Sequence, residues 1–153
     1  MVCPPGRPSL ETAIVTPTII IHDLPQAEAA LAGADAAGRA VELRSAPGAA
    51  STIGPSVFRE ITNAALAAYP GTGSVAVLDC GDEAGTAMAA LRAGCRNLAI
   101  NVPDDVGAKL RALAEQSGAR LHGTTGGGAL DLDGAADAAA AVRAYLAREP
   151  ADG

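Results

Sequence analysis

Two reactive side chains follow one another at the end of an apolar run, in the segment 78–82. Asp79 could act as a general acid or base if it is partly desolvated, and Cys80 could act as a nucleophile or a metal ligand. A carboxylate and a thiol beside Gly81 are well placed for chemistry. The alternatives stay open: Asp79 could cap a turn, Asp82 could cap the following helix, and Cys80 could be an inert buried side chain.

Both histidines, His22 and His122, follow predicted strands and could join Cys80 as nitrogen and sulfur ligands of zinc. The chain has neither an HxH nor a CxxC spacing, and the three ligands would come from three separate strands. We therefore expect no stoichiometric zinc and no other cofactor, with Cys80, His22 and His122 as the ligand set if a metal is present. A purely structural role for each histidine is the alternative.

A glycine-rich segment spans residues 122–128 and includes two threonines. Its backbone N–H groups could wrap an anion, although it matches neither the P-loop nor the GxGxxG pattern, and a flexible loop is the alternative. A similar segment, 45–48, follows another predicted strand. The candidate ligand-binding residues, all at predicted strand ends, are His22, Ser45, Gly48, Asn101, His122 and Thr124.

The chain has a single lysine, Lys109, which lies in the middle of a predicted helix. Schiff-base chemistry needs a lysine inside the site, usually a desolvated one. An imine-forming aldolase mechanism is therefore not expected. The chain also has no GxSxG nucleophile elbow.

Apolar runs and amphipathic segments alternate along the chain and predict alternating strands and helices. The predicted strands cover residues 18–22, 40–44, 74–79, 97–101 and 119–122. The first predicted helix begins after Asp23 as N-cap and ends at Gly38. Further helices are predicted around 57–66, 82–94 (with Met88 inward), 103–118 and 133–146.

Strands that alternate with helices predict a parallel sheet with right-handed crossovers. About five such units predict an α/β domain, either a partial (half) TIM-barrel-like sheet or a flavodoxin-like doubly wound sheet. A second strand lying between the first and the third would support the barrel interpretation. In either fold, ligands bind at the C-terminal ends of the strands. We divide the chain into an extended lead-in (1–16), a single α/β domain (17–148) and a tail (149–153).

Charge and aromatic content exclude several classes of function. The chain has 11 basic and 17 acidic residues, a net charge of -6 and 2% aromatic residues. A nucleic-acid binder normally carries a basic patch and aromatic stacking residues. No apolar run approaches the roughly 20 residues of a membrane span. We therefore expect neither nucleic acid nor membrane as a partner, and three scattered cysteines without a disulfide framework favour a cytoplasmic location.

Several short segments between residues 18 and 101 carry a family resemblance. They are 41–44, 47–49 followed by Gly54, 75–81, and a predicted helix that ends in Ala-Gly at 93–94. Together they resemble the metal-dependent class II fructose-bisphosphate aldolases, in which Leu-Asp-His-Gly corresponds to residues 78–81. The resemblance implies that Asp79 takes the place of the acid that protonates the substrate carbonyl. It implies that Cys80 takes the place of a zinc-binding histidine.

The resemblance covers only the first half of that family's barrel. We therefore expect a half-barrel domain without full aldolase activity, which acts through self-association and binds a small, phosphorylated metabolite at the strand ends. A homodimer or larger assembly is expected because an open half-barrel would expose a sheet edge and an apolar inner face. The alternative is a metal-dependent lyase for a small phosphorylated or carbonyl substrate, with Asp79 as general acid.

Overall fold

A computed structural model describes residues 16–123 and 128–149 of the chain. In chain order the elements are β1 (Thr18–Ile20), α1 (Leu24–Ala37), β2 (Glu42–Arg44), α2 (Pro55–Ala68), β3 (Val75–Asp79), α3 (Ala84–Arg92), β4 (Asn97–Ala99), α4 (Asp104–Gln116), β5 (Arg120–His122), β6 (Leu130–Asp131) and α5 (Ala138–Arg148). Short 3-10 turns lie at Ala49–Ser51 and Pro70–Thr72. Within the described ranges, no helix has the length and apolar character needed to cross a membrane.

The strands form one parallel sheet in the order β5-β4-β3-β2-β1-β6. Its register pairs Ile19 with both Leu43 and Leu130, and Leu43 with Ala76. The predicted α/β class with a parallel sheet is thereby confirmed. Strand β2 lies between β1 and β3, as in successive units of a barrel, whereas the flavodoxin order places the second strand outside the first.

Helix α1 begins and ends where its sequence predicts. Asp23 Oδ1 accepts a hydrogen bond from the Gln26 amide at 2.9 Å, and Pro25 occupies the first turn. Gly38 ends the helix with a φ of 67°, a left-handed conformation that favours glycine. These local signals fix the first strand–helix unit, and with it the position of His22 after β1.

The apolar core lies between the helices and one face of the sheet. Ile19, Leu43, Leu78 and Leu98 occupy this face and are fully buried. Alanines supply much of the facing helix surface, so the helices can approach the sheet closely. The fully buried helical alanines are Ala27, Ala30, Ala34, Ala65, Ala87 and Ala90.

The C-terminal part of the chain packs against the first strand and the first helix. Strand β6 pairs with β1, and α5 packs against α1. A Cβ on Gly33 would lie 2.5 Å from Val142 Cγ1, and Val142 is fully buried. The close contact between α1 and α5 therefore depends on the missing side chain at position 33.

The second face of the sheet carries a buried ion pair among apolar side chains. Arg44 Nε and Nη2 each lie 2.8 Å from Glu42 Oε1, and the arginine is 5% exposed. Thr18 Oγ1 donates to the same carboxylate oxygen at 3.4 Å. Ile20 and Val77, in register with Arg44, are also buried. The expectation of an exposed apolar inner face is therefore wrong, because a charged pair and buried side chains occupy it.

The C-terminal elements differ from those predicted. Strand β6 was not predicted, because its two residues, Leu130 and Asp131, offer no alternation to detect. The last helix begins at Ala138 rather than near Asp133, with Asp137 as N-cap. The missed strand places Asp131 beside β1, which the sequence alone did not indicate.

Helix α3 differs from its predicted form at two points. Its N-cap position is Glu83 rather than Asp82, and the Glu83 side chain makes no capping bond. Met88 is 39% exposed while Ala87 and Ala90 are fully buried, so the predicted inward position of Met88 is wrong. In a helix rich in alanine, hydrophobic periodicity does not single out one face.

Candidate functional site

A cavity of about 280 Å³ opens at the C-terminal ends of β4 and β5, beside the start of α4. Ligands of α/β domains bind at this edge of the sheet. The cavity therefore lies where the sequence analysis expects a ligand. Its lining residues are the apolar Ile100, Val102 and Leu121, the polar Asp104, Arg111 and His122, and Gly107 with Gly123.

Two opposite charges line this cavity from helix α4. Asp104 and Arg111 are seven residues apart, about two helical turns, and so lie on the same face of the helix. Between them, a Cβ on Gly107 would only touch Val102 Cγ2, at 3.7 Å. The cavity therefore offers a carboxylate and a guanidinium along one helix, above an apolar lining.

His122 connects the cavity to the second face of the sheet. Its Nε2 lies 3.0 Å from Asn97 Oδ1 of β4. Burial lowers the pKa of the His122 ring below 6.5. The Glu42 carboxylate raises that pKa in part, whereas the positive charges of Arg44 and Arg120 lower it further. The ring is therefore neutral near neutral pH, with one nitrogen that donates and one that accepts.

A second polar arrangement lies at the ends of β1 and β6. His22 Nε2 lies 2.7 Å from Asp131 Oδ1, which also accepts from the Asp133 amide at 2.9 Å. The Gln26 side chain accepts from the His22 amide and donates to the Leu132 carbonyl. Burial alone would raise the pKa of Asp131, but the hydrogen bonds from His22 and Asp133 and the charge of the ring outweigh it and lower that pKa. His22 is thus held by a carboxylate that the sequence analysis did not identify.

Asp79 and Ser45 lie together where β3 and β2 end. Asp79 Oδ1 accepts from the amides of Gly48 at 2.9 Å and Gly81 at 2.8 Å. Ser45 Oγ accepts from the Asp79 amide at 2.8 Å, and both residues are buried. Three predicted site residues are thereby brought together, and the carboxylate ties the loop after β2 to the turn after β3. A catalytic role for Asp79 stays a prediction.

Cys80 belongs to the core between the helices and the sheet. Its side chain is buried, and Sγ lies 3.9 Å from the Leu78 carbonyl oxygen. Burial, with a smaller contribution from the Asp79 charge, raises the pKa of the thiol to about 12. At neutral pH the group is therefore protonated, whereas the thiolate is the form that attacks electrophiles and binds metals.

The three conditional zinc ligands do not come together. Cys80 lies in the core, His22 is bonded to Asp131, and His122 is bonded to Asn97. Within residues 16–123 and 128–149, no three His, Cys, Asp or Glu side chains are grouped so that they could hold a metal ion. The described residues therefore do not fit the zinc that the aldolase resemblance implies.

Asn101, another predicted site residue, lies apart from the cavity. Asn101 is exposed after β4, where its amide donates to the Gly81 carbonyl at 2.8 Å, and it does not line the cavity. Thr124 lies outside the described residues. Asp104 and Arg111 were not identified from the sequence. Their signal was a pair of opposite charges seven residues apart, starting directly after Pro103.

Exposed carboxylates surround this edge of the sheet. They lie at or after the ends of four different strands and are Asp23, Asp82, Glu83, Asp104, Asp105, Asp131 and Asp133. A strongly anionic ligand would meet like charge here. The electrostatics of this edge therefore disfavour the phosphorylated ligand that the sequence analysis expects.

No protein-family model matches this chain, and no curated protein matches it either. The resemblance to class II aldolases therefore stays a prediction made from short sequence motifs. The geometry of the site is the basis on which a function can be assigned.

Proposed function

We propose that this chain binds a small metabolite in the cavity between α4 and the ends of β4 and β5. The observation that supports this most is the placement of Asp104 and Arg111 on one helix face, beside Val102 and Leu121. A few polar groups set in an apolar lining are typical of small-molecule sites, where they fix the orientation of the ligand.

The ligand that fits this lining is small and carries both charges, as an α-amino acid does. The planar guanidinium of Arg111 suits a carboxylate, and Asp104 can accept hydrogen bonds from an ammonium group. The cavity, about 280 Å³, lies just below the usual range of roughly 300–1,000 Å³ for ligand pockets, which favours a compact ligand. An amphoteric ligand also avoids the repulsion that the surrounding carboxylates exert on a phosphate.

The proposal is a binding function and includes no lyase step. The zinc-dependent alternative needs metal ligands that the described residues do not assemble. Asp79, its general acid, uses Oδ1 to accept bonds from two backbone amides. Neither observation supports extending the function beyond binding.

A binding screen tests this proposal. The purified protein is screened by thermal shift against the L-amino acids and a set of sugar phosphates, and hits are measured by calorimetry. We expect an amino acid to raise the melting temperature. We expect Arg111→Gln and Asp104→Asn each to weaken that binding by about tenfold or more, since hydrogen bonds to charged groups contribute about 1.5–3 kcal/mol.

Matched controls come from the same helix. Lys109→Gln removes a positive charge, and Asp105→Asn a negative one, from exposed positions that do not line the cavity. Both control variants should bind like the wild type. Equal loss of affinity in the controls, or no binding of any amino acid, would contradict the proposal.

Self-association is a second candidate, favoured by exposed apolar side chains in a groove between α3 and α4. The groove is lined by Met88, Leu91 and Leu113 together with the polar Arg92, Gln116 and Ser117, and Met88 and Leu113 are 39% and 38% exposed. Sedimentation equilibrium tests this idea against a monomer mass of 15.0 kDa. A dimer that Leu113→Gln dissociates, and that Val57→Gln on the exposed surface of α2 does not, is the expected result. A monomer at all concentrations would contradict it.

A further inference from the structure

A second cavity, of about 220 Å³, lies where β3 and β4 begin, at the other end of these strands from the first cavity. It is bordered by α2 and by the segment that joins α3 to β4. The two cavities share no lining residue. A ligand of the second cavity would therefore occupy a different place from the ligand proposed above, although Asn97 of this cavity is hydrogen-bonded to His122 of the first.

Arg59 of α2 lines this cavity with an unsatisfied nitrogen. Its Nε is buried and is the one side-chain nitrogen or oxygen of that kind without a hydrogen-bond partner in residues 16–123 and 128–149. The Nη2 atom lies 3.1 Å from Glu60 Oε2, in a pair that is largely exposed. A buried donor without an acceptor is costly, particularly on a charged group. An acceptor placed in the cavity would remove that cost.

The Arg59 side chain lies beside Gly94, which also lines the cavity. Gly94 has a φ of 89°, and a Cβ built on it would lie 3.7 Å from Arg59 Cδ and 4.0 Å from Nε. The positive charge also reaches Cys95, another lining residue. Burial raises the pKa of the Cys95 thiol, and the Arg59 charge lowers it in part. The Arg59 side chain therefore lies beside two residues that line the cavity, Gly94 and Cys95.

The other polar groups of the cavity suit an anion. The Ser74 oxygen accepts from the Val41 amide, which leaves its proton free to donate, and Asn63 is exposed at the rim. None of the described lining residues is acidic, although the chain carries a net charge of -6. Arg96, which is exposed, also lines the cavity and adds a second positive charge. Arg59 differs from it in having a buried Nε without a hydrogen-bond partner.

The remaining lining is apolar. Phe58 is buried, and Leu66 and Leu78 add aliphatic surface. A small apolar group attached to the anion would therefore find contacts here. We infer that this cavity binds a small organic oxyanion, a carboxylate or a phosphate monoester, with one oxygen that accepts from Arg59 Nε.

Titrations with benzoate and phenyl phosphate test this inference. Each probe is added to ¹⁵N-labelled protein while the Arg59 Nε–Hε resonance is followed, and the affinity is measured by calorimetry. We expect at least one probe to bind with millimolar or better affinity and to shift that resonance. Tighter binding of benzoate would identify a carboxylate site, and tighter binding of phenyl phosphate a phosphate site.

Substitutions separate a specific site from general charge attraction. Arg59→Lys keeps the charge but lacks the Nε donor, and should weaken binding by about tenfold, as expected for loss of a charge-assisted bond. Arg143→Gln removes a positive charge from an exposed position on helix α5 and should leave the affinity unchanged. The inference is overturned if neither probe binds, if the Arg59 resonance does not move, or if both variants bind like the wild type.

Discussion

Arg44 Nη1 donates to the Gly123 carbonyl oxygen at 3.0 Å, which joins β2 to the end of β5. Strands β3 and β4 lie between these two in the sheet. In a flat sheet, three strand spacings of about 4.8 Å would separate β2 from β5, farther than an arginine side chain spans. The sheet therefore curves around the ion pair between Arg44 and Glu42.

This ion pair should be costly to break on one side only. Arg44→Met leaves the partly buried Glu42 without its partner, and removal of one member of a buried pair typically costs about 3–5 kcal/mol. The double variant Arg44→Met/Glu42→Leu should recover most of that loss. Urea denaturation measures both. Glu60→Gln, in an exposed pair, is the control and should change the free energy of unfolding by less than about 1 kcal/mol. Equal losses in the single and double variants would contradict this interpretation.

Gly33→Ala should destabilise the contact between α1 and α5. The new methyl group would meet Val142 Cγ1 at 2.5 Å, and overpacking of this kind outweighs the higher helix propensity of alanine, for a net loss of about 1–2 kcal/mol. Gly85→Ala in α3 is the matched control, because nothing lies within 4 Å of its Cβ position. Thermal unfolding should give a lower melting temperature for Gly33→Ala only. A melting temperature for Gly33→Ala at or above that of Gly85→Ala would show that the helices do not pack this closely.

The succession of the first five strands and four helices along the chain, though not their order in the sheet, could be predicted because apolar runs alternate with amphipathic segments. Asp23 and Gly38 bound α1 as predicted. Strand β6 could not be predicted, since two residues after a glycine-rich segment carry no periodicity. The ion pair on the second face of the sheet could not be predicted either. Three-residue strands are too short for alternation to distinguish Glu42 and Arg44 from core residues.

The two cysteines of the core should resist modification in the folded protein. Cys80 has a thiol pKa of about 12, and burial raises the pKa of Cys95 as well. At about pH 8 only about one Cys80 in ten thousand would be a thiolate, the reactive form. A Cys3→Ser variant should therefore release no thionitrobenzoate from Ellman's reagent until denaturant is added, and two equivalents afterwards. Rapid labelling of the native variant would contradict the placement of both thiols.

His122 should make folding stability depend on pH on the acid side of neutrality. Its pKa in the folded state is lowered below 6.5, so the unfolded chain takes up a proton first as the pH falls. The contribution of His122 to the free energy of unfolding is complete above pH 6.5. It is lost as the pH falls through the lowered pKa of the folded state. His122→Gln should therefore show a smaller fall in urea midpoint between about pH 7.5 and pH 5 than the wild type. Parallel declines in the two proteins would assign that pH dependence to other groups.

The candidate site was only partly visible in the sequence. The rule for strand ends correctly points to the edge where the cavity lies, and His122 lines it. Asp104 and Arg111 were missed because they lie on a helix rather than at a strand end. The orientation of Cys80 into the core could not be predicted either, because residues 75–78 are all apolar and their pattern does not show which face of the strand meets the core.

The most direct test of the central proposal is an amide NMR titration with the amino acid that gives the largest thermal shift. The account predicts chemical-shift changes concentrated in residues 100–111 and 121–123, and their loss in Arg111→Gln but not in Lys109→Gln. Changes confined to the second cavity, around residues 58–63 and 94–97, or no saturable change at all, would contradict it.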